Sequence, residues 1–226
     1  MEHANLSDAR LVCEMLARDN YDLVCLDSNM TRPCQVAALD AARIANSRPL
    51  ILLIGSANAP AGEMSRDGLE IDGILSRPLD FERTRTLIER LVRARRQSRA
   101  LVVDDSAAVR LIVRKVLQKS RFRIHAEEAE EGVAALADMR RGKFDLVFLD
   151  CNMPGLDGFA TLTEIKRKHP DTQVIMMADS RDEKTADRAR TEGANGFLFK
   201  PFYVKEIDAI LHDLFGLNAP KLARAS

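Results

Sequence analysis

A net charge is missing from this chain: 34 lysines and arginines balance 34 aspartates and glutamates. No field of one sign draws it to nucleic acid or to an anionic membrane. Long apolar runs are missing too. Among the longest is Leu50-Ile51-Leu52-Leu53-Ile54, far short of the roughly 20 residues that cross a bilayer. The first thirty residues hold no uninterrupted apolar core of the kind a secretory signal needs, so a cytoplasmic protein is expected. Cys13, Cys25, Cys34 and Cys151 show neither the close pairing of a zinc site nor a disulfide framework suited to so large a chain, and are expected to be reduced thiols used as small apolar residues. His3, His125, His169 and His212 share no motif and read as surface or structural residues.

What is present suits a folded protein. Apolar residues make up 46% and charged residues 30% of 226, a length that holds two domains with separate cores. In the second half, short apolar runs at residues 100–103, 121–125, 145–149, 173–177 and 196–199 read as strands. Between them lie helical patterns. Val109, Ile112, Val113 and Val116 share one face of a helix that Ser106 is placed to cap. Val133 with Leu136, and Leu162 with Ile165, mark two more; residues 185–192 give a weak fourth and residues 204–214 a fifth. Strands alternating with helices imply right-handed crossovers and an α/β fold, a doubly wound parallel five-stranded sheet in the flavodoxin-like order 2-1-3-4-5. Such sheets place their chemistry at the carboxyl ends of the strands. There the chain has Asp104 and Asp105 after strand one, Asp150 after strand three and Lys200 after strand five.

The first half repeats the second at an offset of 123 residues. Tyr21 through Met30 echo Phe144 through Met153, Gly73 echoes Gly196, and Arg77-Pro78 echo Lys200-Pro201. Only 26 residues precede Asp27, enough for one helix over residues 6–18 but not for two strands and two helices. The first copy is therefore expected to lack the first strand, first helix and second strand, and with them any counterpart of the acid pair. It has arginine in place of Lys200 and Thr31-Arg32-Pro33 in place of the Pro-Gly-Leu-Asp-Gly stretch. The loss bares the edge of its strand three, which is expected to dock on the second copy, on another protomer or on an upstream element. Residues 81–98 read as one long basic helix, whose arginines are expected to form a solvated face. No aromatic residues interleave them, which argues against a nucleic-acid stripe.

In order, an acid pair after strand one, Asp150-Cys151-Asn152-Met153-Pro154-Gly155-Leu156-Asp157-Gly158 after strand three and Lys200-Pro201 after strand five resemble the response-regulator receiver domain of two-component signalling. The likeness spans roughly residues 98–217, about half of the chain, with a truncated, degenerate receiver at residues 1–97 and a tail at 218–226. It implies that Asp150 is the phosphoacceptor and that Asp105, helped by Asp104, holds Mg²⁺ or Mn²⁺ with Asp150 and the backbone carbonyl of Asn152. Lys200 would pair with the phosphoryl oxygens. Chemically this is coherent: crowded carboxylates repel, and a hard divalent cation shared with phosphate oxygens relieves them. The implied partners are a histidine kinase or histidine phosphotransfer protein and a downstream protein. A homodimer through the incomplete first copy, or through the fourth and fifth helices of the second, stays open. No enzymatic turnover is expected beyond Mg-dependent self-phosphorylation and autodephosphorylation.

One position departs from the family. Receivers carry threonine or serine at the end of strand four, where this chain has Ala178, and the partner aromatic position is Phe197, also without a hydroxyl. Ser180 would have to substitute, and Asp179 adds negative charge nearby. The rival reading is a phosphorylation-independent adaptor or scaffold. A phosphatase with an aspartate nucleophile usually has a second acid two residues on, where this chain has Asn152. Asp27, without an acid pair, is not expected to be phosphorylated.

Overall fold

The computed structural model describes residues 9–56, 71–179 and 181–217. The expected helix start at Leu6, His3, Ser180 and the tail at residues 218–226 lie outside them. The chain divides into two compact units, one spanning Arg96–Leu214 and the other containing the residues up to Arg95.

In the first unit α1 (Ala9–Arg18), β1 (Leu23–Asp27), α2 (Arg32–Ile44), β2 (Leu50–Ser56), β3 (Gly73–Arg77) and α3 (Phe81–Arg95) follow in order. The three strands form a parallel sheet in the order β1-β2-β3. Its core packs Leu26, Ile51 and Leu53 against Val12 and Leu16 of α1 and Ala38, Leu39 and Ala42 of α2. The arginines of α3 do not all face water. Arg95 is only 8% exposed; it pairs with Asp22 at 2.8 Å and donates to the carbonyls of Ser47 and Arg48. The helix also ends at Arg95, short of the expected Ser98, because Ser98 already belongs to the next strand, with its N–H on the Arg123 carbonyl.

The second unit runs β4 (Ser98–Val103), α4 (Ala107–Lys119), β5 (Ile124–Ala129), α5 (Gly132–Arg141), β6 (Leu146–Asp150), α6 (Gly158–Lys168), β7 (Gln173–Ala178), α7 (Glu183–Thr191), β8 (Gly196–Phe199) and α8 (Val204–Phe215). All neighbouring strands are parallel, in the order β5-β4-β6-β7-β8, which is the expected 2-1-3-4-5. Every residue of β6 is buried, which is why its run is uniformly apolar up to Asp150. On one face Leu101, Val147, Leu149, Val174 and Met176 pack against Ala135 and Met139 of α5 and Leu162 and Ile165 of α6. Ser106 caps α4 as expected, its hydroxyl accepting from the Val109 N–H at 3.4 Å.

The second strand is the clearest correction. It was expected at residues 121–125, yet β5 lies at Ile124–Ala129 and carries His125, Glu127 and Glu128. As an edge strand it tolerates charge. The apolar signal came from Phe122, which lies before the strand and packs edge-on against His212 of α8, ring centroids 5.1 Å apart.

Hydrogen bonds recur at the same offset of 123 residues. Leu50 N–H donates to the Asp22 carbonyl at 3.0 Å, and Gln173 N–H to that of Asp145 at 2.9 Å. Ser28 N–H reaches the Ile54 carbonyl and Cys151 N–H that of Met177, both at 2.8 Å. Ile51 N–H donates to the buried Asp72 carboxylate at 2.6 Å, and Val174 N–H to the Asn195 side-chain oxygen at 2.9 Å. The peptide bonds Arg77-Pro78 and Lys200-Pro201 are both cis. The first unit differs at its edge: among the described residues no strand lies beyond β1, and Cys25 is exposed where its counterpart Phe148 is fully buried.

Candidate functional site

Asp104 directly follows β4, Asp150 ends β6, Ala178 ends β7 and Lys200 directly follows β8, so one sheet edge collects them. The Lys200 ammonium lies 2.7 Å from a carboxylate oxygen of Asp104 and 2.7 Å from one of Asp150. Asp104 and Asp150 are 1% and 2% exposed. Their other oxygens accept backbone N–H groups, Asp104 from Ser106 at 2.9 Å and Asp150 from Asn152 at 3.3 Å. Asp105 is exposed, and one oxygen each from Asp104, Asp105 and Asp150 fall within 4.8 Å of one another. Among the described residues the Asp105 carboxylate has no hydrogen-bond or ion-pair partner, and the Asn152 carbonyl accepts no hydrogen bond.

Burial pushes the Asp150 carboxyl above the ordinary aspartate range; the bond and charge of Lys200 work against that, while Asp104 and Asp179 add to it. Burial pulls Lys200 downward, but its bonds to Asp104 and Asp150 outweigh that and the net shift is upward. Three carboxylates and one ammonium leave an uncompensated double negative charge. Hard oxygen donors, excess negative charge and an unpartnered exposed carboxylate fit a divalent cation such as Mg²⁺.

Glycine is required where the chain passes closest to the acid. A Cβ on Gly158, at the start of α6, would lie 2.1 Å from the Asp150 carbonyl oxygen. Gly155, in the preceding turn, has φ +74°. Cys151, next to Asp150, is buried, and burial together with the neighbouring carboxylate pushes its thiol up to about 12, so it is not a thiolate nucleophile. Ala178 is 2% exposed and its carbonyl accepts the Lys200 N–H at 2.7 Å. Ala178 lines a recess together with Asn152, Thr185 and Arg188. Phe197 contacts Phe199 edge-on and offers no hydroxyl.

Arg110, which the sequence left unmarked, donates to the Asp104 carbonyl at 2.7 Å and the Asp105 carbonyl at 3.4 Å. The sole sequence signal was a basic residue in the first turns of a helix, where cations are disfavoured. In the first unit Asp27 is held by the Asn29 N–H at 2.9 Å and by Arg77 at 2.7 Å, and among the described residues it belongs to no group of three or more ligand side chains of the kind formed by Asp104, Asp105 and Asp150.

The family described as response regulator receiver domain matches residues 100–212, half of the chain. The chemotaxis protein CheY of Bacillus subtilis is 34% identical over 109 residues, which cover 48% of this chain and 90% of that protein. CheY-3 of Vibrio cholerae is 34% identical over 119 residues, covering 51% and 89%. The crystal structure of the receiver domain of NtrX from Brucella abortus matches with 33% identity and a TM-score of 0.48, over 52% of this chain and 98% of that one.

Proposed function

Because this chain belongs to the response regulator receiver family, we propose that its second unit accepts a phosphoryl group on Asp150 from a histidine kinase or a histidine phosphotransfer protein. Receiver domains work with such donors and with downstream effectors, and the output here is protein contact. The supporting observation is the Lys200 ammonium shared at 2.7 Å between Asp104 and Asp150, beside the unpartnered carboxylate of Asp105.

A carboxylate oxygen of Asp150 attacks the phosphorus of phosphohistidine. The new P–O bond forms as the P–N bond breaks; that electron pair returns to the imidazole nitrogen, which takes a proton from solvent. Lys200 meets the phosphoryl oxygens from the β8 side, and burial of Asp104 and Asp150 keeps these charge interactions strong. Asp104, Asp105, Asp150 and the Asn152 carbonyl would hold Mg²⁺ or Mn²⁺, which when bound neutralises charge on the transferring oxygens.

Residues 98–217 form the complete receiver in this reading, followed by a tail at 218–226. Residues 1–97 form an incomplete, degenerate one that does not accept phosphate, a reading supported by the shared register and the recurring hydrogen bonds. A balanced charge is consistent with protein partners rather than nucleic acid or membrane, and among the described residues no helix is long and apolar enough to cross a membrane.

Incubation of the full chain with acetyl phosphate and Mg²⁺, read by intact mass, tests the proposal. One phosphoryl adduct is expected, lost with EDTA and in Asp150→Ala and retained in Asp27→Ala. No adduct on the parent chain, or one that survives Asp150→Ala, overturns it in favour of a phosphorylation-independent adaptor.

A further inference from the structure

We infer that Arg110 is a positioning residue for the divalent-cation site, holding the Asp104-Asp105 turn by its backbone so that both side chains converge beside Asp150. The inference rests on the metal-binding reading just given. Consecutive acids in a turn have no intrinsic reason to converge, and three carboxylates within 4.8 Å push one another apart. Lys200 restrains two of them, and nothing among the described residues restrains the side chain of Asp105. What restrains its backbone is the guanidinium of Arg110, which spans the carbonyls of both acids at 2.7 and 3.4 Å.

Arg110 is itself fixed. Its side chain is 14% exposed, and its Nε lies 3.1 Å from the Glu128 carboxylate on β5. That strand pairs with β4, Glu128 opposite Val102, just before the acid turn. The brace therefore runs from the edge strand through the guanidinium to the two carbonyls. A forked guanidinium suits this task, because its Nε meets Glu128 while its Nη1 meets the two carbonyls, whereas the single nitrogen of a lysine does not span both ends. The location also explains an otherwise unfavourable choice, since a cation in the first turns of α4 opposes the helix dipole unless carbonyls outside the helix receive it. Arg114, one turn further along α4, provides an internal contrast: it lies 3.2 Å from the same Glu128 and makes no bond to the acid turn.

Manganese titration of the full chain, followed by the loss of the free-ion paramagnetic resonance signal, tests the idea without reference to phosphorylation. The Kd for Mn²⁺ is expected to rise about tenfold or more in Arg110→Ala, the usual consequence of losing a group that orients a metal ligand. Arg110→Lys recovers part of that loss. Arg114→Ala changes the affinity by less than about twofold, since a screened charge without contact to the turn has little influence. A cooperative thermal melt in EDTA certifies each variant; should Arg110→Ala fail to fold, weaker Mn²⁺ binding by folded Arg110→Lys supports the inference and parental binding overturns it. Parental affinity in folded Arg110→Ala, or an equal loss in Arg114→Ala, also overturns it while the metal site stands. Failure of the parent chain to take up Mn²⁺ removes the metal reading itself, and the inference with it.

Discussion

Asp27 and Asp150 end equivalent strands, in the same register with the next strand, with a basic residue 50 positions on reaching each carboxylate at 2.7 Å. Their surroundings nevertheless differ in kind. The Asp150 side chain is 3% exposed and shares its ammonium with a second buried acid, beside a third carboxylate. The Asp27 side chain is 38% exposed and faces a single guanidinium. At the Asp27 site charges balance one to one and no demand for a cation is left. At the Asp150 site they do not. The acids that create the excess sit after β4, and the first unit shows no equivalent strand among the described residues. The loop after the strand differs as well: Gly158 opens a close approach to Asp150, whereas its counterpart Gln35, 4% exposed, fills that space and donates to the carbonyls of Asp27, Ser28 and Met30. A duplicated backbone therefore does not duplicate a site; the neighbours of the shared aspartate decide its chemistry.

Four substitutions sharpen this contrast. Lys200→Ala leaves two buried carboxylates without their counter-ion and is expected to cost about 3 kcal/mol in EDTA, whereas Arg77→Ala, at an exposed pair, costs less than about 1 kcal/mol. Amide exchange resolved to each unit measures both, and equal losses would break the comparison. Next in size, Gly158→Ala forces a methyl group against the Asp150 carbonyl and is expected to cost about 1–3 kcal/mol, read as a shift in the urea midpoint. Parental stability would show that the close approach is not needed. The smallest effect concerns acid. The Asn29 N–H, and then Arg77, hold Asp27 below its ordinary value of 3.8, with slight burial opposing them. A depressed carboxyl stabilises the folded unit above 3.8 and loses that contribution as pH falls through the folded value. Screening at this exposed pair keeps the contribution under about 1 kcal/mol. Asp27→Asn should flatten the stability of the first unit in that acid range; an unchanged acid limb in a pH-resolved melt would count against the pairing.

Strands buried on both faces were the most legible elements, because β6 and β7 had to be continuously apolar and their acid or turn endings stood out. The cap at Ser106 was legible because it depends on residues three apart. Edge strand β5 was misplaced, since half-exposed strands carry no continuous apolar run and Phe122 supplied a stronger signal from the turn before it. Arg95 reads as part of a solvated arginine face, and no pattern in the sequence marks Arg110 or Gln35. Each turns out to satisfy carbonyls brought near by the fold: 47 and 48 positions away for Arg95, but only a few for Arg110 and Gln35.

Periodicity and spacing established the repeat, the alternation of strands and helices and which acids and base reach the sheet edge, because in a parallel α/β fold every strand's carboxyl end emerges on the same side; the strand order came from the likeness to a flavodoxin-like fold. Only tertiary structure decided how those groups share charge: which carboxylates pair with Lys200, which one is left open, and what holds the acid turn. Such matters depend on distances and desolvation between segments far apart along the chain, and a linear pattern of residue types contains neither.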